Sequence, residues 1–207
     1  MTQDALTLHA FSLSGHSHRA QLLLSLAGLS HELVHVDLAQ GAQKRPEFLR
    51  LNPFGVVPVL RHGEFVISES NAILQYLAET FPAASAYLPK DAPSRALVQR
   101  WFSVASGPLL AGPGTARMVR VFGRDADHAR AVAIAEGLFQ VMERELRDRD
   151  FLVGSAVTLA DVAMYTYTAH APEGDISLEP YPRMRAWLAR IEAMPGFVPM
   201  ARAPRRN

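Results

Sequence analysis

The chain of 207 residues is 49% hydrophobic and balances 21 basic against 20 acidic side chains, a net charge of +1. That composition supplies a core for one large or two small domains and lacks the electrostatic footprint of a general nucleic-acid binder. With no cysteine, disulfide frameworks, Cys-X-X-Cys redox chemistry and thiolate zinc sites are excluded together, so any thiol that reacts here comes from another molecule.

The opening "MTQDALTLHAF" has neither the charged start nor the apolar run of a secretory signal, and no apolar run approaches the ~18 residues of a membrane span. A cytoplasmic protein without a membrane partner is expected. Residues 6–11 read as a short strand, "HSHRAQLLLSLAG" from His16 to Gly28 as a helix, and "HELVHVDL" from His31 as a strand alternating at period two. A short helix at "RPEFLRLN", a strand at "VVPVL", a tight turn at "HGE", a strand at "FVI" and a helix from Ser68 to about Thr80 complete the order β-α-β-α-β-β-α. A right-handed first crossover makes the first two strands parallel neighbours. "FPAASAYLPKDAP" then loses all periodicity, which predicts a first domain over residues 1–81, a linker over 82–93 and a second domain over 94–207. The second domain is expected to be all α, with helices near 94–106, 126–147, 159–167 and 182–193, and the basic end "ARAPRRN" reads as a solvated tail.

Pro58 stands inside the apolar run 56–60, where a central strand would donate a ladder hydrogen bond that proline lacks. A trans proline at a strand end is one reading. The other is a cis bond, which costs only about 0.5 to 1 kcal/mol before proline and would turn the N–H and C=O of Val57 outward toward an extended peptide.

"GVVPVL", "ESNAI", "VTLADV" and "KRPEFLRLNP", set in this order of elements, resemble the cytosolic glutathione transferase family over nearly the whole chain. The resemblance implies a thioredoxin-like N-terminal domain, an all-α C-terminal domain and a cis bond before Pro58. It also implies that the Val57 backbone pairs with the cysteinyl part of glutathione, which serves as co-substrate with no metal. By the same resemblance the γ-glutamyl carboxylate falls on Ser70 at a helix N-terminus, a natural anion site, and Glu69 meets the ammonium group. Plain capping, with Ser68 as N-cap and Glu69 in the first turn, is the alternative for that stretch. Lys44, with Gln43 as a weaker neighbour, looks like the family's partner for the glycine carboxylate; a solvated loop lysine is the alternative.

"SLSGHSHRA" bears on the thiol. Free thiols titrate near pH ~8.5, so a transferase must stabilise the thiolate; one hydrogen bond to the anion, about 1.5 to 3 kcal/mol, with a helix N-terminus is enough. Counted back from Arg19, which looks like the family's basic residue of the first helix turn, Ser14 falls where serine-type and threonine-type members keep their hydroxyl. Ser17 remains an alternative as donor or helix cap, and His16 stands where some members carry a thiol-orienting asparagine. No tyrosine occurs in this stretch. His16 and His18 alone, without a carboxylate or thiolate near by, make no case for a metal.

Thr158 and Asp161 have N-cap and N3 spacing and read as an acidic capping box, while Trp101, Phe102, Trp187, Leu188 and Ile191 read as core. In the family the second-substrate pocket is lined by the first loop and early helices of the second domain, here "SVASGPLLAGPGTARMVRVFG", whose Gly and Pro residues predict an interrupted helix. Arg117 within it is left between an anionic ligand and solvent, and the 170–182 loop is similarly open. The expected activity is conjugation of the glutathione thiolate to an electrophilic small molecule, in a homodimer, with detoxification as the setting. A glutathione-dependent disulfide reductase or isomerase, or a non-catalytic binding protein, is the alternative.

Overall fold

The computed structural model describes residues 5–203, and the chain divides into two units. The first runs to Ala86 and takes back Pro195–Ala201; the second begins at Tyr87 and runs to Met194. The expected linker therefore holds structure of its own. A short helix, Pro82–Ser85, closes the first unit, and the next helix begins at Ala92.

In the first unit β1 (Leu6–Ala10), α1 (Gly15–Leu26), β2 (His31–His35), α2 (Pro46–Leu51), β3 (Val59–His62), β4 (Phe65–Ser68), α3 (Ser70–Thr80) and α4 (Pro82–Ser85) follow one another. The sheet order is β2-β1-β3-β4, with β1 and β2 parallel and the other pairs antiparallel, as the βαβ reading of the first three elements requires. β3 and β4 form a hairpin in which His62 faces Phe65, and Gly63 at φ 57° supplies the left-handed backbone that a two-residue loop needs. α1 contributes Ala20, Leu22, Leu23 and Leu24 to the core, and Val36, Phe48, Val57 and Val59 pack together beside α2.

Two boundaries differ from expectation. Residues 56–58 precede β3 rather than open it: the ladder begins at Val59, opposite Ser68 and His9, so Pro58 takes no donor from the sheet. Its bond to Val57 is cis. Ser68 does not cap α3 because it is still paired in β4; Glu69 holds the N-cap place at φ 67°, without a side-chain cap hydrogen bond.

Residues 195–201, expected in the second domain, are fastened to α1. The His18 Nε2–H donates to the Val198 carbonyl at 2.8 Å, and Ser25 Oγ donates to that of Gly196 at 2.6 Å. The last four residues of the expected tail lie outside the described residues.

The second unit is built from α5 (Ala92–Ser106), α6 (Thr115–Phe122), α7 (His128–Glu145), α8 (Leu159–Ala169) and α9 (Pro182–Glu192). Asp91 caps α5 through Ser94 N and Asp127 caps α7 through Arg130 N. The predicted interruption is a π-helical turn at Leu110–Gly114, around Pro113, before α6. Gly112 there is a packing requirement, since a Cβ would lie 2.8 Å from the Ala135 amide nitrogen of α7.

Asp161 is fully buried. Besides closing the capping box with Thr158, its carboxylate accepts from Leu152 N at 2.8 Å and Trp187 Nε1 at 2.9 Å, so one side chain ties α8 to α9 and to the loop before it. Trp101, Phe102, Trp187, Leu188 and Ile191 are all buried. Among the described residues no helix is long and apolar enough to cross a membrane.

Candidate functional site

Two helix N-termini of the first unit, those of α1 and α3, are brought together by Arg19. This side chain is 1% exposed, and its NH1 donates to Ser70 Oγ at 2.9 Å and Asn71 Oδ1 at 3.1 Å and reaches His16 Nδ1 at 3.3 Å. His16 Nδ1 also lies 3.1 Å from Ser70 Oγ. Burial first, and then the Arg19 charge, press the His16 pKa down to about 3, so the ring is neutral at any ordinary pH.

Ser14 is the N-cap of α1, and its Oγ accepts from Ser17 N at 3.2 Å. A hydroxyl carries one hydrogen and two lone pairs, so this bond leaves the Ser14 O–H hydrogen to be donated elsewhere. Ser17 is not the cap of α1, a place that Ser14 holds. It is 2% exposed and its Oγ accepts from Phe11 N at 3.2 Å, which ties the loop before α1 down onto the helix.

The loop from Asn52 to Pro58 is organised by Asn52, which is fully buried. Its Nδ2 donates to Val56 O at 2.7 Å and its Oδ1 accepts from Phe54 N at 3.1 Å, which shapes the backbone leading to Val57. Lys44 reaches this loop from the 3₁₀ turn Ala42–Lys44: its Nζ donates weakly to Phe54 O at 3.4 Å, and a Cβ on Gly55 would meet that Nζ at 2.8 Å. Lys44 is exposed, whereas the amide oxygen of Gln43 is buried in the protein.

Glu69 is exposed, and its φ of 67° in a residue with a side chain is a local strain of the kind that persists where the surroundings impose it. Ser70, the first residue of α3, is 4% exposed and presents its hydroxyl to Arg19 and His16. Thus Ser70, His16 and Arg19 form one hydrogen-bonded cluster, with Ser14 capping the same helix that carries the last two. Lys44 meets the Val57 loop instead. Two contributors escaped the reading of the sequence. Asn71 stands within "ESNAI" and Asn52 within "KRPEFLRLNP", but neither was singled out there.

His16 and His18 face different partners, Ser70 and Val198. Arg117, in the second unit, is not solvated: it is 1% exposed, and its Nε donates to Glu173 Oε2 at 2.7 Å. Glu173 belongs to the 170–182 loop, whose first part is a 3₁₀ turn, Ala171–Gly174, and its other oxygen accepts from His170 at 2.9 Å.

Residues 6–79 match the family model described as Glutathione S-transferase, N-terminal domain, and residues 109–195 the one described as Glutathione S-transferase, C-terminal domain. The chain is 35% identical to glutathione S-transferase F10 of Arabidopsis thaliana over 173 residues, 80% of each protein. It is 32% identical to glutathione S-transferase 3 of Zea mays over 211 residues, 93% of this chain and 91% of that relative. A solved glutathione S-transferase from Pseudomonas fluorescens superposes with a TM-score of 0.88 at 30% identity, over 94% of this chain and 98% of that one.

Proposed function

Because the chain belongs to the glutathione transferase family, we propose that its first unit binds glutathione through Lys44, the Val57 backbone, Glu69 and Ser70, with Ser14 stabilising the thiolate. The protein is an enzyme that joins the sulfur of glutathione to electrophilic small molecules. The thiol gives up its proton, the thiolate forms the new S–C bond with the electrophile, and a leaving group, where there is one, departs with the bonding pair.

The observation that carries the residue assignment is the meeting of the α1 and α3 N-termini around buried Arg19. One N-terminus carries the hydroxyl for the thiolate, and the other offers amides and the Ser70 hydroxyl to a carboxylate. Arg19 adds a fixed positive charge beneath that second site. Glu69, beside Ser70 and exposed, would meet the ammonium group of the same γ-glutamyl end. Lys44 lies next to the loop that leads to Val57, so a peptide paired with the Val57 backbone would bring its glycine carboxylate toward the Lys44 Nζ.

The test is titration calorimetry with glutathione beside a conjugation assay with an activated aryl halide. Binding and conjugation are expected, and absence of both would overturn the assignment. Slow conjugation beside rapid reduction of a mixed glutathione disulfide would instead favour the reductase chemistry. We further place the enzyme in the cytoplasm as a homodimer, closed two-fold pairs being the commonest oligomer. Light scattering that returns one chain mass at micromolar concentration would remove the dimer.

A further inference from the structure

The Arg19 cluster contains more than an anion site needs. A guanidinium only donates hydrogen bonds, so His16 Nδ1, at 3.3 Å from Arg19 NH1, acts as an acceptor, and the ring proton of the neutral imidazole sits on Nε2. Ser70 Oγ already accepts from Arg19 at 2.9 Å, and the Ser70 hydrogen then has His16 Nδ1 as its acceptor at 3.1 Å. The hydroxyl is therefore held by a donor on one side and an acceptor on the other. His16 is the second residue of α1, two places after Ser14, whereas Ser70 opens α3.

We propose that His16 is a positioning residue that sets the Ser70 hydroxyl and so couples recognition of the γ-glutamyl end of glutathione to the helix N-terminus carrying Ser14. The inference rests on the glutathione assignment above. Before binding, the Ser70 O–H points at Nδ1. An arriving carboxylate is a charged and stronger acceptor, so it takes that hydrogen. Nδ1 then keeps its single lone pair turned toward the Arg19 guanidinium, 3.3 Å from NH1. Without the imidazole, the Ser70 hydroxyl loses the group that orients it, and one of the contacts between α1 and α3 goes with it.

A double-mutant cycle tests this, using His16→Ala, Ser70→Ala and the pair, with glutathione affinity read by calorimetry and turnover by aryl halide conjugation. His16→Ala should weaken glutathione binding about three- to tenfold, the worth of one oriented hydrogen bond, and the loss should fall on KM rather than on kcat. In the Ser70→Ala background the same change should cost nothing further. His16→Asn, whose side-chain oxygen can stand near the place of Nδ1, should recover most of the loss. Additive losses in the cycle, a loss confined to kcat, or no rescue by asparagine would overturn the coupling while leaving glutathione binding intact. No binding by the unsubstituted protein would instead sink the glutathione assignment and the coupling with it. A nitrogen-15 spectrum of the unsubstituted protein reads the ring without any substitution. The Nε2–H tautomer is expected, with a change at Nδ1 on adding glutathione, and an Nδ1–H tautomer overturns the inference.

Discussion

Replacing Ser14 by alanine removes two different interactions from one atom, and they can be measured apart. The first is the cap of α1, in which Ser14 Oγ accepts from Ser17 N at 3.2 Å; its loss costs about 1 kcal/mol of stability and, in a chain of this size, about 2 to 4 °C of melting temperature. The second is the hydrogen bond that we propose the Ser14 hydroxyl makes to the glutathione thiolate. A bond to a charged partner is worth about 1.5 to 3 kcal/mol, which is roughly one to two pKa units, since each unit is about 1.36 kcal/mol. The thiolate is the form that loses its donor, so the pKa of the bound thiol rises in the variant. At neutral pH less thiolate is present, and conjugation should fall about tenfold to a hundredfold. Raising the pH should recover part of the rate, while glutathione affinity stays close to that of the parent because the peptide is gripped elsewhere. The assay is the pH profile of single-turnover conjugation, with the absorbance of the bound thiolate read in parallel. Ser17→Ala serves as control: that hydroxyl is buried on Phe11 N, so its loss should lower the melting temperature without moving the thiol pKa. An Ser14→Ala profile superimposable on that of the parent, or a shift that appears only in Ser17→Ala, would refute the reasoning.

Lys44→Ala should weaken glutathione binding about two- to fivefold, as suits an exposed charge, and calorimetry at rising salt should show the difference shrinking; a salt-independent loss would mean that no ion pair is involved. Asp161→Asn keeps the shape but sets an NH₂ against donors, because both carboxylate oxygens already accept from N–H groups, so denaturant unfolding should show a loss of about 2 kcal/mol or more; less than about 0.5 would contradict the hub. The folded pKa of His16, about 3, lies below its unfolded value near ~6.5, so the unfolded chain binds a proton that the folded chain rejects, and this cost is absent above that pH and grows as pH falls. His16→Asn should therefore lose about 1 to 2 kcal/mol less stability than the parent between pH 7 and pH 5, and parallel stability curves would refute it.

Much of this protein is legible along the chain because local chemistry decides it. The parallel first strands follow from a strand, helix and strand in succession, and the cap of α8 follows from Thr158 and Asp161 three residues apart. The glycine and proline residues between 107 and 114 announced a break, and the structure makes it a π turn. The residues named for the ligand were reached through a resemblance carried by short motifs, each of which is contiguous.

What the chain could not show is what its distant parts do to one another. Ser68 reads as a cap, but its pairing with Val59 in β4 moves the start of α3 past it. Residues 195–201 look like the end of the helical domain and yet join the first unit, because His18 and Ser25 on α1 donate to their carbonyls. Arg117 finds Glu173 across 56 positions. Arg19, His16 and Ser70 lie on two separate helices, so no spacing in the sequence marks their meeting. Hydrogen bonds in a buried cluster depend on angstrom-scale placement, and that placement is set by the packing of α1 and α3, not by the residues that benefit from it.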